Sequence, residues 1–152
     1  MIQKFDIKNF PKIESLHDSA TSSIELQDNK LIFYFEHVFA ENEAEEETKP
    51  HRKLKVTYCL HEKFQDEHPF ACVKNINEKK LFIKNAIKYF TLNELVFELK
   101  TKQRNLMVYA QYFNNCNCII IADMVENKKG WQMYNKFNIE LLVDEIIYDW
   151  IE

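Results

Sequence analysis

The segment from residue 22 to residue 39, SSIELQDNKLIFYFEHVF, decides the predicted fold, because it contains two strand-like runs joined by a tight turn. Gln27, Asp28 and Asn29 separate the runs, and Asp and Asn tolerate the left-handed conformation that such a turn requires. The second run is apolar on both faces of a strand, so we expect one face to pack on the core and the other to be partly covered. The segment therefore predicts a β-hairpin within an antiparallel sheet.

Further along the chain, three more segments have the pattern of strands. Residues 53–60, KLKVTYCL, alternate polar and apolar side chains as a half-buried strand does. Residues 106–113 and 117–125 are rich in apolar side chains, many of them β-branched or aromatic, and Asn114 and Asn115 stand between them. We predict that these two segments form a second antiparallel pair.

Three segments place apolar side chains at helical spacing. Residues 78–90 have five apolar side chains on one face and four lysines on the other, which predicts an amphipathic helix. Thr91 and Glu94 form a capping-box pattern that predicts a second helix at 92–102, with a strand as the alternative. Residues 139–151 carry an apolar stripe that predicts a third helix, with two short strands as the alternative.

Strands and helices occur in blocks along the chain and not in strict alternation, which favours an α+β fold. We therefore predict a single domain over residues 1–152, with an antiparallel sheet and helices packed on one face. The composition supports one core, since 46% of the residues are hydrophobic. A domain of this length buries roughly 70% of the surface of its unfolded chain.

The chain contains one glycine, Gly130, and this scarcity excludes several classes of enzyme. Loops that bind phosphate need glycine so that backbone N–H groups can approach the ligand closely. A dinucleotide-binding fingerprint, a Walker loop and a nucleophile elbow all require glycines that this sequence lacks. We therefore predict no enzymatic activity and no cofactor.

The four cysteines, Cys59, Cys72, Cys116 and Cys118, do not have the spacing of a disulfide framework. The chain begins MIQKFDIK, without the apolar segment of a signal peptide, and its longest apolar run is too short to span a membrane. The sequence therefore predicts a cytoplasmic protein with free thiols and no membrane association. The C-x-C pair at 116–118 could supply two zinc ligands, but the paired knuckles of a structural zinc site are missing, so we predict no metal.

Two arrangements of side chains are candidates for catalysis. His17 and Asp18 could form an acid–base pair, since a carboxylate orients an imidazole. Neighbouring residues of a strand point to opposite faces, so the better interpretation is that Asp18 or Ser19 caps or turns the chain into the hairpin. Cys72 or Cys118 could act as a nucleophile only beside a histidine and an oxyanion hole, and no motif links either cysteine to one. We predict no catalytic residue.

The charges are unevenly distributed along a chain whose net charge is −4. Residues 41–47 contain five glutamates and no basic residue, and we predict a mobile acidic loop at 40–50. Such a loop attracts a basic protein partner and speeds its association, although acidic loops often serve only to keep a protein soluble. The chain has two arginines and no basic stripe, so we predict no binding to nucleic acid.

The predicted binding residues form two groups. The first is the set of glutamates in the acidic loop. The second is a pair of tryptophans near the C-terminal segment, because tryptophan is enriched at binding hot spots, although both could instead complete the core. The predicted residues are Glu41, Glu43, Glu45, Glu46, Glu47, Trp131 and Trp150.

One segment, at 16–35, has a recognisable order of residues. It runs Leu16-His17-Asp18-Ser19, then Ile24-Glu25, then Asp28-Asn29, then Leu31-Ile32-Phe33. This order resembles the opening hairpin of several families of small bacterial domains, some uncharacterised and some grouped with the immunity proteins of polymorphic toxin systems. The resemblance implies a non-enzymatic bacterial domain that neutralises a partner through its surface, and it assigns no functional residue.

These observations predict a cytoplasmic, non-enzymatic bacterial binding domain, similar to immunity proteins, that acts through surface complementarity to a protein partner. The alternative is an enzyme or a small-ligand carrier with an apolar pocket lined by aromatic residues. A deep pocket with convergent polar groups would favour the alternative, and an exposed patch without a pocket would favour the binding domain.

Overall fold

The computed structural model describes residues 2–6, 16, 18–38, 52–62, 70–74, 87–126 and 132–151. The described residues form nine strands and one helix. In chain order these elements are β1 (Ile2–Asp6), β2 (Ser19–Gln27), β3 (Lys30–Val38), β4 (Arg52–Leu60), β5 (Phe70–Lys74), β6 (Ile87–Phe90), α1 (Leu92–Lys102), β7 (Arg104–Asn114), β8 (Asn117–Glu126) and β9 (Gln132–Ile151).

Six of the strands form a closed antiparallel barrel in the order β4-β3-β2-β7-β8-β9, and pairing of β9 with β4 completes the circle. The long strand β9 closes the barrel with its two halves, because residues 132–142 pair with β8 and residues 143–151 pair with β4. The other strands extend the sheet beside β9. β5 pairs with it at 135–137 and with β6 on its other side, and β1 pairs with β9 at 145–149.

The two predicted hairpins are confirmed. β2 and β3 are joined at Asp28, whose φ of 50° is left-handed, and β7 and β8 are joined at Asn115, whose φ is 54°. Asn and Asp adopt this conformation more readily than other residues that carry a side chain. The strand predicted at 53–60 is also confirmed, as β4.

The helix predicted at 92–102 is confirmed as α1, together with its capping box. The hydroxyl of Thr91 accepts a hydrogen bond from the backbone N–H of Glu94 at 3.2 Å, and the Glu94 carboxylate accepts one from the backbone N–H of Thr91 at 2.8 Å. Gln103, with φ of 51°, ends the helix. α1 buries its apolar face and contacts β2, β6 and β7.

The predicted α+β fold is wrong, because six of the strands close into an antiparallel barrel and strands make up most of the structure. α1 is the single helix among the described residues. The helix predicted at 78–90 is wrong at its end, since Ile87–Phe90 form strand β6. Residues 78–86 lie outside the described residues.

The helix predicted at 139–151 is also wrong, because these residues belong to β9. Their side chains alternate between the inside and the outside of the barrel as far as Val143 and again from Ile146. Asp144 and Glu145, which lie between these two residues, both point outward. This β-bulge appears as a shift in the register with β4. The bulge places the inward residues Val143 and Ile146 three positions apart, which is also the spacing of residues on one face of a helix.

Similar bulges occur in β2, β3 and β7. Each places two successive side chains on the outer surface: Ser22-Ser23, Glu36-His37 and Tyr109-Ala110. A bulge bends a strand and increases its twist, and strands that close a narrow barrel must bend strongly. The bulges therefore allow the sheet to close.

Candidate functional site

The space inside the barrel is filled by buried side chains from all of its strands. Phe33, Tyr58 and Tyr148 are among the largest of them, and the rings of Phe33 and Tyr58 meet edge to face with centroids 5.3 Å apart. A barrel of about eight strands is just wide enough for side chains to fill or for one small ligand. This barrel has fewer strands and is therefore narrower, so its interior has the character of a core.

Three polar side chains inside the barrel bond to one another. Gln111 donates a hydrogen bond from Nε2 to the Tyr58 hydroxyl at 2.6 Å, and its Oε1 accepts one from the Tyr148 hydroxyl at 3.2 Å. The bulge at Tyr109 turns Gln111 inward, since Val108 and Gln111 both face the interior. Burial, followed by the neighbouring Tyr148, raises the pKa of Tyr58 well above its ordinary value. The three side chains therefore stay neutral, and their hydrogen bonds link opposite walls of the barrel.

The three described cysteines lie in different surroundings. Cys118 is buried inside the barrel, and burial raises the pKa of its thiol, which keeps it protonated and a poor nucleophile. Cys59 is half-buried, Cys116 is exposed, and all three are free thiols. Within the described ranges, no group of three or more His, Cys, Asp or Glu side chains could hold a metal ion. The side chain of Cys72 lies outside the described residues.

A second polar contact lies on the outer wall of the barrel. The Tyr109 hydroxyl donates a hydrogen bond of 3.1 Å to the carboxylate of Asp123, which is 2% exposed. Burial, and then the charges of Asp123 and Asp18, raise the pKa of Tyr109 to about 12. The phenol therefore keeps its proton at neutral pH, and the contact joins β7 to β8. Asp18 itself has φ of 58° in the turn before β2, and His17 lies outside the described residues.

The outward side chains of β7, β8 and β9 form an outer surface of mixed apolar and polar residues, which we call the β7–β8–β9 face. Paired residues make three rows across it, and their inward neighbours Cys118, Ile120, Ile139 and Leu141 are buried. The rows are Ala110–Ile121–Asn138, Tyr112–Ile119–Glu140 and Asn114–Asn117–Leu142. Tyr112, at the edge of the middle row, is 59% exposed, and Ile119 and Ile121 are half-buried.

This face carries negative charge and no basic side chain. The sequence has no Lys or Arg at 105–125 or at 138–151. Glu140 lies in the middle row, and Asp144 and Glu145 follow on the same outer side of β9. The carboxylate of Asp144 lies 3.6 Å from Nε2 of His61.

The outer wall of β2, β3 and β4 has a different character, because its charges are mixed. Lys53 pairs with Glu36 at 3.0 Å, and the ammonium of Lys55 lies 5.8 Å from the centre of the Tyr34 ring. These exposed contacts pair charged groups of both signs within the wall itself.

The structure locates one of the predicted binding residues. Trp150 is 7% exposed and belongs to the core, which was the alternative interpretation of the tryptophans, and a role for it in binding stays a prediction. Trp131 and the glutamates of the acidic loop lie outside the described residues, as does the loop at 40–50 that was predicted to be mobile.

Tyr112, Ile119 and Ile121 were not predicted as binding residues, although the sequence contains a signal for them. In the run Ile119-Ile120-Ile121, one residue faces the core and the two beside it face outward, because successive side chains of a strand alternate. The run therefore places two isoleucines on the outer side of β8, and one of them pairs with the exposed Tyr112 of β7.

No protein-family model, curated protein or solved structure matches this chain. The helix α1, the single helix in the part of the chain that the structure describes, does not have the length or apolar character needed to span a membrane.

Proposed function

We propose that this protein is a non-enzymatic binding module that recognises a protein partner through the outer wall of its barrel. The observation that carries the proposal is the β7–β8–β9 face, where an exposed tyrosine stands beside two isoleucines on a rigid sheet. Exposed apolar surface of this kind marks interaction sites, and tyrosine is enriched at binding hot spots.

The interior of the barrel supports the same proposal. A carrier of small ligands needs a cavity lined by a few polar groups that point at the ligand. Here the inward polar groups Tyr58 and Tyr148 each hydrogen-bond to Gln111, and most of the other buried side chains are apolar. A ligand that used these three polar groups would have to break their hydrogen bonds.

Within this class, the resemblance of residues 16–35 to immunity-like domains points to a bacterial toxin as the partner. This part of the proposal rests on the resemblance alone. The predicted basic partner of the acidic loop at 41–47 is compatible with it.

The test is affinity capture from cells of the source organism with three forms of the full chain: the wild type, Tyr112→Ser and Phe97→Ser. Phe97 is 70% exposed on α1 and is the matched control, because its loss removes an exposed ring from a different surface. We expect a protein that is captured by the wild type and by Phe97→Ser but is lost with Tyr112→Ser. A small molecule that co-purifies in stoichiometric amount, detected by native mass spectrometry, would instead support the carrier and contradict the proposal.

A further inference from the structure

The β7–β8–β9 face has features that define the chemistry of its partner, and the inference that follows rests on the proposed function. The two isoleucines and Tyr112 line up across neighbouring strands, with Ile121 paired to Ala110 and Ile119 paired to Tyr112. Together they form an apolar area on the outer side of the barrel.

The charge around this apolar surface is of one sign. Glu140 is exposed and is the cross-strand neighbour of Ile119, so its carboxylate stands beside the apolar residues. The nearest basic residues along the three strands are Arg104 and Lys136, which lie beyond the three rows. Arg104 is already 3.6 Å from the carboxylate of Glu98. The carboxylate of Glu140 therefore has no cation within the three rows of this face.

We propose that the β7–β8–β9 face binds a basic segment of a protein partner, with an apolar side chain of that segment on Tyr112, Ile119 and Ile121 and a cationic side chain at Glu140. Complementary charge fixes the orientation of partners and speeds their encounter. A second copy of this chain is a poor occupant, because it would place acidic residues against acidic residues. A nucleic acid is a poor occupant for the same reason.

The experiment uses the full chain labelled with ¹⁵N and two short peptides as probes. In one peptide lysine alternates with isoleucine around a central tryptophan, and in the other glutamate replaces every lysine. We expect the lysine peptide to shift the amide signals of β7, β8 and β9 around Tyr112, Ile119 and Glu140. We expect the glutamate peptide to leave these signals unchanged.

Three variants test the assigned contacts. Tyr112→Ser should weaken binding of the lysine peptide at least about tenfold, as loss of an aromatic anchor does. Glu140→Gln keeps the shape of the side chain and should weaken binding about two- to fivefold, the range for an exposed ion pair. Phe97→Ser should leave the affinity unchanged.

Several outcomes would overturn this inference. They are equal binding of the two peptides, absence of binding by the lysine peptide, shifts confined to another surface, and self-association of the chain through this face in sedimentation experiments. The proposed function is tested separately by the captured protein. If its capture depends on Tyr112 but not on Glu140 or on salt, the inference about charge fails and the proposed function stands.

Discussion

Replacing Gln111 by leucine tests the hydrogen-bonded group inside the barrel. Leucine has nearly the volume of glutamine, so the change removes two hydrogen bonds without leaving a large cavity. The hydroxyls of Tyr58 and Tyr148 then lose their hydrogen bonds to Gln111, and both residues are almost completely buried. An unsatisfied buried hydroxyl costs about 1–3 kcal/mol, so we expect the effect on Tyr58 alone to lower the free energy of unfolding by about 1–3 kcal/mol.

The assay is equilibrium unfolding in urea, with the free energy obtained by linear extrapolation. The matched control is a triple variant, in which Gln111→Leu is combined with Tyr58→Phe and Tyr148→Phe. Replacing all the partners of a hydrogen bond by apolar groups of similar shape is nearly neutral, so the triple variant should regain most of the lost stability. A Gln111→Leu variant within about 0.5 kcal/mol of the wild type, the scale of an ordinary surface substitution, would refute the reasoning.

Three further predictions concern α1 and the outer wall. Thr91→Ala should lower the free energy of unfolding by about 1 kcal/mol, because it removes the N-cap of α1. Thr101→Ala, which changes an exposed threonine of the same helix, should not lower it. Equal effects of the two changes in urea unfolding would contradict the role of the capping box. In the folded chain the pKa of Tyr109 is raised from its ordinary value of 10.0 to about 12. The contribution of Tyr109 to stability is therefore complete below pH 10 and is lost as the pH rises towards 12. Asp123→Asn should lower the pKa of Tyr109 part of the way towards its ordinary value, and an unchanged pKa in an NMR titration of the tyrosine ring would exclude an effect of the carboxylate.

The elements that depend on neighbouring residues could be predicted from the sequence. The β2–β3 and β7–β8 hairpins each need only a turn and two adjacent apolar runs, and α1 needs only its cap and its apolar face. These signals lie within a few residues of one another. These elements can therefore be predicted without knowledge of the rest of the fold.

The closure of the barrel could not be predicted, because it depends on pairing between β4 and the second half of β9, which are far apart in the chain. The bulge at Asp144 and Glu145 also gave the apolar residues of β9 a spacing typical of a helix. A bulge adds one residue to a strand and shifts its alternation by one position, so the period of two is interrupted where the strand bends. A search for strands that allows one such interruption would have found β9.

The candidate binding surface could be predicted only in part. The apolar run at 119–121 is visible in the sequence, but its meaning depends on which of its side chains face outward. The structure settles that, because Ile120 is fully buried while Ile119 and Ile121 are half-buried. The sequence also does not show that the face is acidic, because this depends on β7, β8 and β9 lying side by side.

The most direct test of binding through the outer wall is NMR of isoleucine methyl groups while the captured partner, or any other ligand, is added to the full chain. Ile119 and Ile121 report on the outer face, and Ile120 and Ile139 report on the interior of the same barrel. We predict that the methyl signals of Ile119 and Ile121 shift on binding and that those of Ile120 and Ile139 stay in place. Large shifts of Ile120 and Ile139 with unchanged Ile119 and Ile121 would put the ligand inside the barrel and contradict the account.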